Sequence, residues 1–356
     1  MKTSMKSAAN LRQHKQKKAN EKLSLTVVWE AVNTCNAKCK TCFHWQNSPD
    51  EGILNTFQAK TAIGKLADSG LTSLTLSGGE PLMRKDIPEI IRFAKLKGIE
   101  VELQTNGLLV TERQAWKLVD AGLDTVTISI DAADSELNDG LRGLSGYHSL
   151  AVEAIDNLKA MRSNGDPKIQ IMVTVNNENS GQLTALADLV VNKGIDGLQF
   201  QLAQNMPSRG FHLDSSLRLD SKQREILISQ IDELLERYSE ILVGSPEFYL
   251  QLRHALAKFP HGLKVNPASV FSFLQMDAMG NLFPTPAKKL NLGNILQSDI
   301  GTICHCNEAR CEPLEVDSPD MSCADYAKKR SLHTHKPLQS SVSKLIRPIL
   351  HTFRLI

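Results

Sequence analysis

Short apolar runs alternate along this chain with longer stretches in which apolar residues recur every three or four positions. The short runs predict six strands, which are Leu25–Trp29, Thr72–Leu76, Ile99–Leu103, Thr125–Ile130, Ile169–Val175 and Leu198–Leu202. The longer stretches predict five helices between them, which are Phe57–Ser69, Ile87–Lys97, Glu112–Ala121, Leu150–Arg162 and Gln182–Val191. Gly70, Gly98 and Gly122 follow three of these helices, as expected where helices end. This alternation predicts a parallel sheet with helices outside it.

The number of strand–helix units sets the kind of sheet. Six units are fewer than a closed TIM barrel contains, so the prediction is an α/β fold in the form of a partial (β/α)6 barrel, open on one side. One more amphipathic stretch, Ser216–Tyr238, predicts a helix that packs on the barrel.

Composition suits a folded globular chain. It has 356 residues, 41% of them apolar, and 41 Lys and Arg against 39 Asp and Glu leave a net charge of +2. This balance gives no reason to expect a nucleic acid partner. No apolar run is long enough for a membrane span, and the N-terminal segment lacks the apolar core of a secretion signal. We therefore expect a cytoplasmic protein.

The cysteines carry the strongest chemical signal. All seven fall into two groups, Cys35–Cys42 and Cys304–Cys323. An odd number without an export signal favours metal ligation over disulfides. Cys35, Cys39 and Cys42 stand in the spacing C-x3-C-x2-C, which supplies three thiolates and leaves one iron of a cubane cluster open. A structural zinc site and an incidental group of thiols are the alternatives.

Other polar motifs follow the predicted strands in the same way. The cysteine group follows the first strand, Ser77–Pro81 the second and Thr105–Gly107 the third, and Ser129–Asp131 closes the fourth. The carboxyl ends of parallel strands share one rim, where α/β barrels build their active sites. The motifs are therefore expected to meet on that rim.

On these residues, from about residue 25 to about 200, the chain resembles the radical S-adenosylmethionine (radical SAM) enzymes. The resemblance implies that Cys35, Cys39 and Cys42 bind a 4Fe–4S cluster and that S-adenosylmethionine binds its open iron. One electron would then split the sulfonium, and the resulting 5′-deoxyadenosyl radical would remove hydrogen from a substrate. The cofactors carry this chemistry, and the protein supplies position and exclusion of water.

The resemblance also implies contacts to S-adenosylmethionine. Gly78, Gly79 and Glu80 match the family's Gly-Gly-Glu element, in which glycines allow close approach to the ligand and a carboxylate accepts from its ammonium group. Ser129 and Asp131, expected to point the same way, would bind ribose hydroxyls, and Arg142 would meet the ligand's carboxylate. The structural alternatives are a plain turn, a helix cap and a solvated loop arginine, respectively.

The second cysteine group follows two short motifs, Asp277–Thr285 and Leu292–Ile295, that resemble the auxiliary-cluster extension called SPASM. That extension normally has seven cysteines and two further clusters, but here Thr285 stands where a cysteine is expected. We therefore expect one auxiliary Fe–S cluster, bound by Cys304, Cys306, Cys311 and Cys323. A zinc site on the same thiolates and a site without metal are the alternatives.

These assignments predict five segments. They are a basic N-terminal tail at 1–23, the radical SAM partial barrel at 24–215, a helical connection at 216–265, the SPASM-like extension at 266–330 and a C-terminal tail at 331–356. Residues 341–356 have apolar positions at helical spacing, which predict a helix packed back on the body or, alternatively, one that contacts a membrane surface.

The expected function is that of a radical SAM enzyme in a biosynthetic or peptide- or protein-modification pathway. Its substrate is a small molecule or a peptide, and its electron donor is a protein such as flavodoxin or ferredoxin. No leader-peptide-binding domain precedes the first strand, which mildly disfavours a peptide recognised by this chain alone. The alternative is a non-catalytic Fe–S electron-transfer or redox-sensing protein on the same fold, which would have no use for a nucleoside site.

Overall fold

The computed structural model describes residues 25–47, 52–204, 211–258, 273–284 and 291–297. Cys304, Cys306, Cys311 and Cys323 lie outside the described residues, as do the tails at 1–23 and 331–356. The expectations for an auxiliary cluster and for a C-terminal helix therefore stay predictions.

The described residues form nine strands and eight α-helices. The strands are β1 (Leu25–Val32), β2 (Leu71–Gly78), β3 (Glu100–Thr105), β4 (Thr125–Ser129), β5 (Lys168–Val175), β6 (Gly197–Leu202), β7 (Phe273–Met276), β8 (Asn281–Pro284) and β9 (Gly293–Asn294). The helices are α1 (Thr56–Asp68), α2 (Ile87–Leu96), α3 (Glu112–Asp120), α4 (Ser135–Arg142), α5 (Tyr147–Met161), α6 (Leu183–Lys193), α7 (Ser221–Arg237) and α8 (Pro246–Lys258).

The predicted strand–helix units are confirmed. Strands β1 to β6 are parallel neighbours in chain order, and the sheet runs β6-β5-β4-β3-β2-β1-β7-β8-β9. The two ends of this order are not paired with each other, so the structure is the open partial barrel that the sequence predicts. Of the eight described helices, α4 was not predicted, because it is short, polar and contains Gly140, a composition that suggests a turn. Helix α8 lies in the segment 216–265 that the sequence assigns to a helical connection.

Next to β1, the sheet is extended by residues that the sequence assigns to the SPASM-like extension. Strand β7 pairs in parallel with β1, and β8 and β9 follow as antiparallel neighbours. The turn between β7 and β8 is closed by Asp277, whose carboxylate accepts from the amides of Met279 and Asn281. The first part of the extension is thus continuous with the barrel sheet, while the domain boundaries stay a prediction.

The two faces of the sheet differ in polarity. The face that packs on the helices is apolar, and Val27, Trp29 and Leu76 on it are fully buried. The inner face carries polar residues in successive rows. Thr75, Glu102 and Thr125 form one row across β2, β3 and β4, and Gln104 pairs with Thr127 in the next. The polar positions of the alternating strands therefore face the barrel interior. No described helix is both long enough and apolar enough to cross a membrane.

Candidate active site

A cavity of about 250 Å³ runs from the carboxyl ends of the strands into the barrel. We call the part beside Cys35, Cys39 and Cys42 the mouth and the part beside Val28 and Gln275 the inner end. Strands β1 to β7 all contribute lining residues, so the cavity occupies the rim predicted for the active site and continues below it.

The cysteine loop, residues 33–42, follows β1 and brings its three thiols to the mouth. Cys39 is buried, and Cys35 and Cys42 are half-buried. The indole of Trp45 donates to the carbonyls of Cys39 and Cys42 at 3.3 and 2.9 Å, which fixes the turn between them. Burial raises the pKa of the Cys35 thiol to about 11 and also raises that of Cys39.

Two glycines at the end of β2, Gly78 and Gly79, hold the start of this loop by close backbone contact. The Gly79 amide donates to the Val32 carbonyl at 2.9 Å. A Cβ on Gly79 would lie 1.8 Å from the Thr34 oxygen, and one on Gly78 would lie 2.3 Å from the Val32 oxygen. The sequence suggested that these glycines admit a ligand; in the structure they line the cavity and admit the cysteine loop.

A third glycine holds the middle of the loop from the opposite side. Gly143 caps α4 in a left-handed conformation, with φ of 66°, and its Cβ would lie 2.2 Å from the Lys38 oxygen. Next to it, the Lys40 amide donates to the Leu141 carbonyl at 2.9 Å. The cysteine loop is therefore clamped between the end of β2 and the end of α4.

Glu80 of the Gly-Gly-Glu element is fully buried and is not among the cavity-lining residues. One carboxylate oxygen accepts from the Leu82 amide and the Thr105 hydroxyl at 3.0 and 2.7 Å, and the other from the Asn106 amide at 2.7 Å. Burial raises the pKa of Glu80 to about 6, although these donors oppose the shift. In this arrangement Glu80 joins the ends of β2 and β3, and its contact with a ligand stays a prediction.

Asn106 connects this junction to the cysteines. Its side-chain amide donates to the Asn36 side chain at 2.6 Å and lies 3.8 Å from the Cys35 sulfur. The sequence places Thr105–Gly107 on the rim at the end of the third strand, and Asn106 makes this contact there.

Of the Ser129 and Asp131 pair, only Ser129 lines the cavity. Asp131 is fully buried behind Arg142, because the chain leaves β4 at Ser129 and no longer alternates as a strand does. One Asp131 oxygen accepts from the Arg142 guanidinium and from the Thr174 amide, both at 2.7 Å. The expected common orientation of the pair is therefore not seen, and their ribose contacts stay predictions.

Arg142 is a buried residue of the cavity wall rather than a solvated loop arginine. Its guanidinium lies 3.9 Å from the Cys39 sulfur, and its ion pair with Asp131 measures 2.7 Å. Although burial alone lowers it, the charge of Asp131 raises the pKa of Arg142 above its usual range. The mouth therefore carries a permanent positive charge beside a thiol.

The polar inner end was missed by sequence reasoning. Glu30, Gln104 and Gln275 line it, and the Gln275 amide donates to the Glu30 carboxylate at 2.7 Å. The signal was present in β3, where polar residues occupy alternate positions, and in Glu30 and Gln275, which stand between apolar residues of β1 and β7. Asn179 donates to the carbonyls of Asp131 and Thr174 and so fixes the chain behind the cavity wall.

Comparison with known families identifies the segment that carries this site. The family model described as the Radical SAM superfamily matches residues 29–190. Among curated proteins, the chain is 30% identical to Fe-coproporphyrin III synthase of Methanosarcina barkeri over 70% of this chain and 62% of that protein. It is also 30% identical to mycofactocin maturase MftC of Mycobacterium tuberculosis, over 64% of this chain and 56% of that protein. The chain thus spans about 60% of the length of these relatives.

Solved structures share the fold at low sequence identity. The structure described as anSMEcpe with bound AdoMet has a TM-score of 0.61 at 18% identity, over 79% of this chain and 80% of that one. Streptococcus suis SuiB bound to precursor peptide SuiA has a TM-score of 0.62 at 18% identity, over 83% of this chain and 68% of that one. These likenesses establish the architecture described above.

Proposed function

Because this chain belongs to the radical SAM superfamily, we propose that it is an enzyme that reductively cleaves S-adenosylmethionine and abstracts hydrogen from a substrate. The observation that carries the proposal is the position of three thiols, on Cys35, Cys39 and Cys42, at the mouth of a cavity that continues into the barrel. A pure electron carrier has no need of a cavity beside its cluster.

The donor set fits a 4Fe–4S cluster. Cys35, Cys39 and Cys42 bring three thiols to the mouth, the donor type that holds such clusters. Three thiolates would leave one iron for the cofactor.

Around the mouth of the cavity, residues of this chain would bind and orient the cofactors. When bound, the cluster and S-adenosylmethionine supply the electron transfer and the radical chemistry. Arg142, held from behind by Asp131, offers a fixed guanidinium for a carboxylate at the mouth. Ser129 presents a hydroxyl to the same space. The close backbone contacts of Gly79 and Gly143 with the cysteine loop would keep the three thiols at fixed positions relative to Arg142 and Ser129.

The substrate would occupy the rest of the cavity. The relatives include a maturase and a porphyrin synthase by name, which supports a role in a biosynthetic or peptide- or protein-modification pathway. We further propose an auxiliary Fe–S cluster on Cys304, Cys306, Cys311 and Cys323, a flavodoxin- or ferredoxin-like electron donor, and a cytoplasmic location.

The direct test is anaerobic reconstitution with iron and sulfide, followed by dithionite and S-adenosylmethionine. We expect 5′-deoxyadenosine, quantified by mass spectrometry, in the wild-type protein and not in Cys39→Ala. Equal, background levels in both proteins would contradict the enzyme proposal and favour a non-catalytic Fe–S protein.

The auxiliary site has its own test in a variant with Cys35, Cys39 and Cys42 all changed to Ala. About four irons per chain should remain after reconstitution if the other four cysteines hold a cubane. Zinc without iron in that variant would refute the auxiliary cluster and leave the first proposal untouched.

A further inference from the structure

The inner end of the cavity contains an amide whose orientation is fixed and whose oxygen is unused. Gln275 is 4% exposed, and its nitrogen donates to the Glu30 carboxylate at 2.7 Å. A carboxylate only accepts, so this bond determines which end of the amide is the nitrogen. The Gln275 oxygen is left buried and has no hydrogen-bond partner among the described residues.

A complementary group lies on β3, two strands from Glu30 and three strands from Gln275 in the same sheet. The side-chain nitrogen of Gln104 is also buried and has no partner within the described part of the chain. Glu30 pairs with Ser77, and Gln104 follows the Leu76–Leu103 pair, so Glu30, Ser77 and Gln104 form one row across β1, β2 and β3. All three line the cavity, as does Gln275.

Buried polar groups in folded proteins nearly always have a partner, and each exception calls for an explanation. Here an unused acceptor and an unused donor belong to side chains that line one cavity, beside a carboxylate. A ligand group that both donates and accepts would satisfy them together. A carboxylate would satisfy only Gln104, because it cannot donate to Gln275 and meets the negative charge of Glu30.

We infer that the inner end is a recognition site for a neutral amide-type group of the substrate, which donates to the Gln275 oxygen and accepts from the Gln104 nitrogen. The site excludes free carboxylates through Glu30. This inference rests on the proposed function, because only a substrate that reaches the barrel interior can lie below the cysteine loop. It assigns the inner end to substrate selection and the mouth to the cofactors.

Two matched small molecules test this selection in the reconstituted full chain. N-methylpropionamide, a methylamide, carries a neutral amide where the acid propionate carries a carboxylate, on the same three-carbon skeleton. Saturation-transfer NMR titrations, without reductant, should show binding of the methylamide and at least about tenfold weaker binding of the acid, the factor that 1.4 kcal/mol represents. Equal affinities, or no binding of the methylamide, would overturn the inference.

Variants locate the binding. Gln275→Leu should weaken methylamide binding by about five- to tenfold, as expected for one lost hydrogen bond. Gln251→Leu makes the same chemical change at an exposed position of α8 and should leave the affinity as in the wild type. Methylamide binding that survives Gln275→Leu unchanged would refute the assignment.

Glu30→Gln provides an independent measurement if Gln275→Leu does not fold. It removes the charge and keeps the shape, so the acid should bind about tenfold more tightly than to the wild type. No gain for the acid would refute the exclusion role of Glu30. Because no radical chemistry is involved, failure of 5′-deoxyadenosine formation would contradict the proposed function without changing these binding results.

Discussion

The mouth and the inner end of the cavity are built from different parts of the chain. At the mouth, the cysteine loop is held by backbone contacts at Gly79 and Gly143, where there is no space for a Cβ atom. At the inner end, side chains of β1, β3 and β7 face the cavity with some of their polar groups unused. A backbone clamp tolerates little change, whereas side chains on a rigid sheet can be exchanged. The chain therefore separates a fixed cofactor end from an adjustable substrate end.

The largest effect should come from the buried ion pair behind the mouth. Arg142→Met leaves Asp131 charged, buried and unpaired, so the free energy of unfolding should fall by about 3–5 kcal/mol. Urea denaturation measures this loss. The matched control is Arg92→Met, which breaks the exposed Arg92–Asp120 pair and should cost less than about 1 kcal/mol. Similar losses in both variants would mean that the mouth is no more rigid than the surface.

Next in size is the clamp itself. Gly79→Ala places a methyl group against the Thr34 carbonyl, so the loop must shift, at a cost of about 2–3 kcal/mol. Iron content after reconstitution should fall with it, because the three thiols move apart. Gly64→Ala is the control, since nothing lies within 4 Å of its Cβ and the helix α1 should gain about 0.5–1 kcal/mol. Full iron loading in Gly79→Ala would show that the clamp does not position the thiols.

A smaller effect is expected where a side chain supports the loop. Asn106→Ala removes the bond to Asn36 and the bond accepted from the Leu108 amide, and should cost about 1–2 kcal/mol in unfolding free energy. The rate of iron loss to a chelator should rise modestly. A double variant with Asn36→Ala should lose little more than Asn106→Ala alone, because the bond between the two side chains is already absent there. Fully additive losses would place the effect elsewhere.

The smallest effect on stability should come from the inner end. Gln104→Leu replaces an amide whose nitrogen is unused by an apolar group of similar size, so unfolding free energy should change by less than about 1 kcal/mol. Urea denaturation compares it directly with Gly79→Ala. A loss as large as that of Gly79→Ala would break the contrast, because the inner end would then be structural as well.

Sequence reasoning placed the elements well because apolar periodicity reflects burial against helices, as in β2 and α1. It also brought the cysteines, Gly78–Gly79, Ser129 and Arg142 to one rim, since the ends of parallel strands must share an edge. It did not give the directions of Glu80 and Asp131. Both lie just past a strand, where the turn and not the two-residue period decides where a side chain points.

The role of the glycines could not be read from the sequence either. A glycine in the sequence indicates that another group can approach the backbone closely. Only the packing of β2 and α4 identifies that group as the backbone of the cysteine loop. The polar inner face was visible as alternation in β5 and β6 but required the sheet's curvature to become a cavity. The hydrogen bond between Gln275 and Glu30 joins residues 245 positions apart, a separation that no local pattern reveals.

Strand β7 also affects how this chain avoids self-association. It covers one side of β1, whose other side pairs with β2, so β1 presents no free edge. If β7 were to detach, β1 would expose a row of unpaired amides and carbonyls, a template for strands of other molecules. The strand that leads into the cysteine loop would then be the one most exposed to aggregation. The short segment from 273 to 284 thus covers the edge of the strand that leads into the cysteine loop.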